Sequence, residues 1–308
     1  MFMNVSGFRR SLFDNAYRRS VNYRVPDVAV REDNAARFYL TTATIVFDEA
    51  KYIREFVAFH KIVGVDHMLI YMDGGTDAEV CRALADFVSE GFVELVPWPR
   101  FIKNRNNQFL AYQHASQYMA GRSRWLAMID ADEFLFAPES ADLPSELRKR
   151  EQFSAIGVYS RTYGTGGVPS ISLGGLVTEI LTKRALAKNI KNTTQRTIAR
   201  PEMIAAIRSA NTCVLRGTTS LGWDEDGQSI KATGETGHAC AQLRINHYFT
   251  RAEADFQAKL GRQYFGKGDL AVKMTAKARE AERDVLSAEE DRILHRYLPR
   301  LKTLYEQR

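Results

Sequence analysis

Two hydrophobic patterns alternate along the first half of the chain. Phe38–Val46, rich in Thr, Ile and Val, reads as a buried strand, and Glu49–Ile62 follows with Tyr52, Ile53, Phe56 and Phe59 at helical spacing. Val65–Met72 is a second apolar strand. Thr76-Asp-Ala-Glu79 has the form of a capping box opening a helix whose apolar face is Val80, Leu84, Phe87 and Val88. Phe92–Val96 is a third strand, stopped by Pro97 and Pro99. Asn107–Met119 reads as helix and Trp125–Ile129 as a fourth strand. Strands alternating with helices of this length predict right-handed βαβ units and a mostly parallel α/β sheet covered on both faces.

Past residue 150 the pattern loosens. Ile156–Tyr159 is strand-like, Tyr163-Gly-Thr-Gly-Gly167 is a flexible turn, and Lys183–Arg200 carries six basic residues with few large apolar ones. That last stretch reads as a mobile basic loop. Lys183, Arg184, Lys188 and Arg200 are placed to fold over an anionic ligand, although a solvated basic surface fits the same pattern. The tail from Arg251 reads as helical, with Ser287-Ala-Glu-Glu290 as a capping box before Ile293, Leu294, Tyr297 and Leu298. The expected organisation is a basic extension over 1–37, a domain over 38–250, and a helical extension over 251–308 packed upon it.

In open parallel sheets ligands bind beyond the carboxyl ends of the strands, so the strand ends are where chemistry is sought. The first ends in Phe47-Asp48-Glu49, the second in Asp73-Gly-Gly-Thr-Asp77, and the fourth in Asp130-Ala-Asp132-Glu133. Three carboxylates beside Met128, Ile129 and Phe134 are costly unless a cation compensates them. A divalent metal is the simplest such partner; a strand end with solvated acids is the alternative that this run leaves open. No GxxxxGK[ST] or GxGxxG phosphate-binding loop is present. The acidic rim suits a nucleotide bearing an activated group better than a dinucleotide.

A net charge of +6 and a pI near 9.1 are compatible with anionic small molecules or membrane surfaces and too small to indicate nucleic acid. Six arginines between Arg9 and Arg31 are interleaved with Phe8, Leu12, Phe13 and Tyr17. They make either an amphipathic surface helix able to touch a membrane peripherally or a ragged basic terminus. No stretch approaches the ~20 apolar residues of a spanning helix. Cys81, Cys213 and Cys240 are odd in number and far apart, which argues against a disulfide frame and favours a reducing cytoplasm, with the inner membrane face as a further location.

Several ordered motifs resemble glycosyltransferase family 92 (the former DUF23 group) and its bacterial family 2-like relatives. They are Glu49-Ala-Lys-Tyr-Ile-Arg-Glu-Phe, His60, Gly64-Val-Asp-His-Met-Leu-Ile-Tyr, Gln108-Phe-Leu-Ala-Tyr112, Ile129-Asp-Ala-Asp-Glu-Phe134, Tyr163–Gly167 and Ile245-Asn-His-Tyr248. Asp130-Ala-Asp132 is similar to the DxD motif of the GT-A fold, a Rossmann-like mostly parallel sheet flanked by helices. The resemblance implies metal-dependent, inverting transfer of a sugar from a nucleoside-diphosphate donor to a saccharide or glycan acceptor, with UDP and galactose as the donor expected from relatives. By that analogy Asp130, Asp132 and His247 hold Mn2+ or Mg2+, and an imidazole among oxygens tilts the choice toward Mn2+. Asp48, Glu49, Asp73, Gln108 and Tyr112 line the donor pocket with Asp130, and Arg200 reaches the diphosphate. Glu179 is the first candidate for base and Glu133 the second, the latter alternatively orienting metal ligands.

The chain departs from the family pattern at Asp48, where Asn is usual, at Ser160-Arg-Thr, which lacks an expected aromatic, and between Pro201 and Gly237, which lacks a Pro-His pair. Two other functions fit parts of the pattern. A nucleotidyltransferase also joins a parallel sheet to paired acids, but Phe47-Asp-Glu-Ala supplies no glycine-rich, lysine-containing loop. A non-catalytic nucleotide-sugar-binding partner in glycan assembly has no chemical need for Asp130, Asp132 and His247 together. His60, on the apolar face of the first helix, reads as a satisfied core histidine.

Overall fold

The computed structural model describes residues 36–74, 77–98, 106–189, 192, 195–209, 212–218, 220, 222–224, 227–230, 241–261 and 285–306. The arginine-rich segment before Ala36, Thr76 of the first capping box and His238 lie outside these residues.

In chain order the strands are β1 (Phe38–Val46), β2 (His67–Met72), β3 (Val93–Pro97), β4 (Ser123–Met128), β5 (Glu133–Phe136), β6 (Ala155–Thr162), β7 (Lys183–Arg184), β8 (Gln195–Ala199), β9 (Ile204–Ile207), β10 (Cys213–Leu215), β11 (Arg244–His247) and β12 (Glu289–Glu290). The helices are α1 (Ile53–Ile62), α2 (Asp77–Ala83), α3 (Ala85–Ser89), α4 (Asn106–Met119), α5 (Leu143–Leu147), α6 (Val177–Ile180), α7 (Glu253–Gly261) and α8 (Leu298–Glu306).

Eight strands form one sheet in the order β3-β2-β1-β4-β8-β6-β11-β5. The first four run parallel, as the alternating pattern predicts; β8 is antiparallel to β4 and β6, and β11 is parallel to β6 but antiparallel to β5. The sheet has a core on each face. One gathers Phe56, Phe59, Trp125, Phe134, Tyr248 and Leu301; the other gathers Tyr71, Ala111, Tyr112, Ala115 and Met119. That two-sided cover is why β1 is apolar or Thr along most of its length instead of alternating with polar residues. At the α1–β2 turn Gly64 has φ of +95°, and a Cβ there would lie 2.6 Å from Pro144 Cδ, so both backbone and space demand glycine.

Three expectations are corrected. The stretch 183–200 is not a mobile loop throughout: Lys183 and Arg184 pair with β12, and Gln195–Ala199 is a fully buried strand in the middle of the sheet. Its polar residues hid it, because Gln195, Arg196 and Thr197 break the apolar signal of an interior strand. Nor does Ser287–Glu290 cap a helix. Ser287 Oγ accepts the Gly166 N–H and Glu289–Glu290 form β12, while Asp291 Oδ1 accepts from Ile293 N at the start of the following 3-10 turn. The helix from Glu49 also begins later, at Ile53, after a turn in which the Glu49 carbonyl accepts from Tyr52 and Ile53.

Candidate active site

β4 ends one residue before Ile129, and the chain turns through Asp130-Ala-Asp132 into β5, which begins at Glu133. The Asp130 carbonyl accepts the Glu133 N–H, closing that turn. Register then places His247 directly across from Glu133. One antiparallel pair thus joins two residues far apart in sequence, and Tyr248 N donates to the Asp132 carbonyl at 2.8 Å to extend it.

The two aspartates stand in different surroundings. Asp130 Oδ1 accepts from Gln108 Nε2 at 2.7 Å and from the Tyr112 hydroxyl at 3.2 Å, and its Oδ2 is paired with Arg196 Nη2. Glu133 Oε2 takes Arg196 Nε at 2.5 Å and the Asp130 N–H at 3.1 Å. Arg196 therefore clamps two carboxylates from a strand that buries it. Burial opposes its charge, but Asp130 and Glu133 outweigh that and push its pKa up. Burial is the largest influence on Glu133, whose side chain is 0% exposed, and raises its pKa despite Arg196.

Asp132 faces outward from this clamp. Its Oδ1 lies 3.4 Å from His247 Nε2 and its Oδ2 3.3 Å from Lys259 Nζ. Burial would raise its pKa; Lys259 and His247 instead hold it well below the usual carboxylate range. His247 Nδ1 is 3.7 Å from Glu133 Oε1, a buried oxygen with no hydrogen-bond partner. Burial lowers the His247 pKa, and the Asp132 and Glu133 charges reverse the sign and raise it.

A second ion pair adjoins. Arg251 Nη2 pairs with Glu49 Oε2, and both charges act on Asp132. Asp48 (φ 60°) and Arg251 (φ 54°) are the two non-glycine residues with positive φ among the described residues: Arg251 is one member of this pair and Asp48 precedes the other. Such backbone costs of order 1–3 kcal/mol per residue and gathers at functional sites. Asp, like Asn, tolerates the left-handed region through its short polar side chain, which suits Asp48 to this backbone.

Among the described residues no three His, Cys, Asp or Glu side chains are gathered closely enough to hold a metal ion. The donor chemistry nevertheless fits a divalent cation. A carboxylate oxygen and an imidazole nitrogen converge at Asp132 and His247, and a Glu133 oxygen lies 3.7 Å behind the other ring nitrogen, on the side where a second carboxylate would support a ligating histidine.

The family model of glycosyltransferase family 92 matches residues 36–212, more than half of the chain. The chain belongs to glycosyltransferase family 92. It is 25% identical over 179 residues to a family 92 protein of Arabidopsis thaliana, covering 54% of this chain and 29% of that one. It is 23% identical over 172 residues to one of Oryza sativa subsp. japonica, covering 54% and 29%. It is 28% identical over 110 residues to a galactan beta-1,4-galactosyltransferase of Arabidopsis thaliana, covering 33% and 21%. The chain spans less than a third of the length of these curated relatives. Glucosyl-3-phosphoglycerate synthase from Mycobacterium tuberculosis, solved with Mn2+, UDP-glucose and phosphoglyceric acid, overlaps 54% of this chain and 58% of its own at 17% identity and a TM-score of 0.30, which carries no weight for the site.

In this family 92 chain Asp130, Asp132, Glu133, His247, Gln108 and Tyr112 come together, and Glu49 joins them through Arg251. Asp48 is exposed beside Glu49, and Asp73 accepts from Asn107 Nδ2 at the end of β2. Two expected residues stand elsewhere. Arg200 lies over the Trp125 ring, five residues before Asp130, and donates to the Phe153 and Glu151 carbonyls. Glu179 receives Lys302 Nζ at 2.5 Å from α8. Its helix α6 is held by Glu55, which accepts from Val177 N, Thr178 N and Thr178 Oγ1 at 2.7–2.9 Å; burial lifts the Glu55 pKa to about 7 in spite of these bonds. Of the basic-loop residues, Lys183 pairs with Glu290, and Arg184 with Glu289 and Asp291. Arg196, Arg251 and Lys259 are the residues that the sequence did not single out. The only hint was that an acidic cluster this buried needs fixed cations from somewhere. The matched family segment ends before His247, Arg251 and Lys259.

Proposed function

We propose that this domain is a metal-dependent, inverting glycosyltransferase that moves a sugar from a nucleoside-diphosphate donor, UDP-galactose being the first to test, onto a saccharide acceptor. One observation carries the reading: in a family 92 chain, Asp132 Oδ1 and His247 Nε2 converge at 3.4 Å with Glu133 behind the imidazole. Asp132 and His247 would hold Mn2+ or Mg2+, which when bound neutralises charge on the departing diphosphate. Asp130, expected from the resemblance as a third metal ligand, has its oxygens engaged by Gln108, Tyr112 and Arg196, and in this reading it instead holds the turn that aims Asp132 outward. Arg251 and Lys259 add positive charge on the same side.

Inversion requires a carboxylate that takes the proton of the acceptor hydroxyl as it attacks the sugar. Glu133 is poorly suited to that role, being sealed from solvent and tied to Arg196, with its other oxygen 3.7 Å from His247 Nδ1. Glu179 is 37% exposed, but it stands apart from the Asp132–His247 pair and would have to leave Lys302 to serve.

Thermal unfolding with Mn2+ and a panel of nucleoside diphosphates tests the reading. At ligand concentrations about 100-fold above Kd, stabilisation is about 2.7 kcal/mol, a rise of several degrees. Asp132→Ala is expected to abolish the metal-dependent part. No shift with any diphosphate, or an unchanged shift in Asp132→Ala, overturns the assignment.

A further inference from the structure

Of the three cations around the acidic cluster, two are fixed and one is not. Arg196 is 3% exposed and bonded to two carboxylates; Arg251 is 13% exposed and paired with Glu49 on a left-handed backbone. Lys259 is 31% exposed and makes simple, breakable contacts: Asp132 Oδ2 at 3.3 Å, the Phe249 carbonyl at 2.8 Å, and the Phe249 ring at 4.3 Å from its centroid. The helix it stands on is anchored one turn earlier. Asp255 accepts the Tyr52 hydroxyl at 2.6 Å and Phe256 is buried, so the side chain can swing while α7 stays in place.

We propose that Lys259 is a stand-in cation: it neutralises Asp132 before metal and donor arrive, and transfers its ammonium group to the donor diphosphate once they bind. This rests on the metal–diphosphate reading above. The ammonium and a divalent ion draw on the same carboxylate, Lys259 on Oδ2 and the ion on the side facing His247, and two cations crowded on one carboxylate repel. A lysine is a compact point charge on a four-carbon stem, able to exchange one anionic oxygen for another without the planar matching an arginine needs. The Phe249 ring and carbonyl give the ammonium group a resting place beside the site in either position. Lys259 therefore acts with opposite sign on the two ligands, weakening metal binding and strengthening diphosphate binding.

Isothermal titration of the full chain tests this, using Mn2+ alone and then uridine diphosphate at saturating Mn2+. Lys259→Gln is expected to bind Mn2+ about tenfold more tightly than wild type and the diphosphate about tenfold more weakly; Lys259→Arg, which keeps the charge, stays within about threefold of wild type for Mn2+. These thresholds are chosen around one power of ten in affinity. If Lys259→Gln leaves Mn2+ affinity unchanged or lower, or leaves diphosphate affinity unchanged, the stand-in role falls while the metal site stands. If wild type itself takes up no Mn2+, the metal reading falls and this inference with it.

Discussion

Strand β8 and its flank carry two arginines four residues apart, and each serves an opposite end of β4. Arg200 lies at the beginning of β4, where Arg124 and the Tyr39 hydroxyl also converge on Glu151. There one carboxylate has two guanidiniums and a phenol, and those guanidiniums are 36% and 18% exposed. Arg196 lies at the other end, where it divides itself between Asp130 and Glu133 while Asp132 and Glu49 stand nearby. That end holds an orphaned Glu133 oxygen, two left-handed residues and a half-exposed lysine. Both ends pair buried or half-buried arginines with carboxylates. What separates the two ends is an unpartnered buried oxygen and strained backbone beside the Asp130 turn.

The largest effect should come from removing the clamp. Arg196→Met leaves Glu133 and Asp130 without their cation, and breaking a buried pair in this way costs about 3–5 kcal/mol. Urea denaturation reads it; a loss below about 1 kcal/mol would mean that the two ends do not differ in the way described.

Next comes His60, which supports β5 from α1. Leu135 N–H can only donate, so His60 Nε2 accepts at 3.2 Å and Nδ1–H must donate to the Phe56 carbonyl at 2.8 Å. The neutral ring is thereby built in, and burial drops its pKa from 6.5 to about 4. The unfolded chain then binds a proton below pH 6.5 that the folded chain refuses until about pH 4. Stability contributed by the neutral ring is complete above pH 6.5 and declines as pH falls through that window, by roughly 3 kcal/mol at about 1.4 kcal/mol per unit. His60→Gln should be less stable at pH 7 but flatter between pH 4 and 6.5; an identical slope to wild type would locate the titration elsewhere.

The smallest effect tests the quiet end. Arg200→Gln leaves Glu151 its Arg124 partner and should cost about 1 kcal/mol or less, with donor KM within about twofold of wild type. A KM rise of tenfold or more would return Arg200 to the donor site and erase the contrast.

The parallel half of the fold was legible because its strands and helices obey simple periods, and the DxD turn because acids beside an apolar strand conflict with burial. The counter-cations were not legible. Arg196 sits in a strand buried on both faces whose first three residues are Gln, Arg and Thr, so no apolar run marked it and the stretch read as a basic loop. Arg200, at the next basic position, looked equivalent, and only register told them apart: Ala199 opposes Leu126 and Ile198 opposes Ala127, which sends Arg196 toward Asp130 and Arg200 away. His60 was read correctly from its apolar helix face. Glu179 could not be placed, since its orientation depends on Lys302, more than a hundred residues away.

Strand β5 touches the rest of the sheet only through β11, the last strand of the sheet to leave the ribosome. The carboxylates of the DxD turn are therefore synthesised long before the histidine, arginine and lysine that quiet them. Until β11 threads between β6 and β5, the nascent chain carries an open strand edge next to unbalanced acids, which makes this region late to fold and the part most in need of protection from mispairing. A chain released at residue 212 would keep every motif of the matched family segment and lack the strand that sets His247 opposite Glu133.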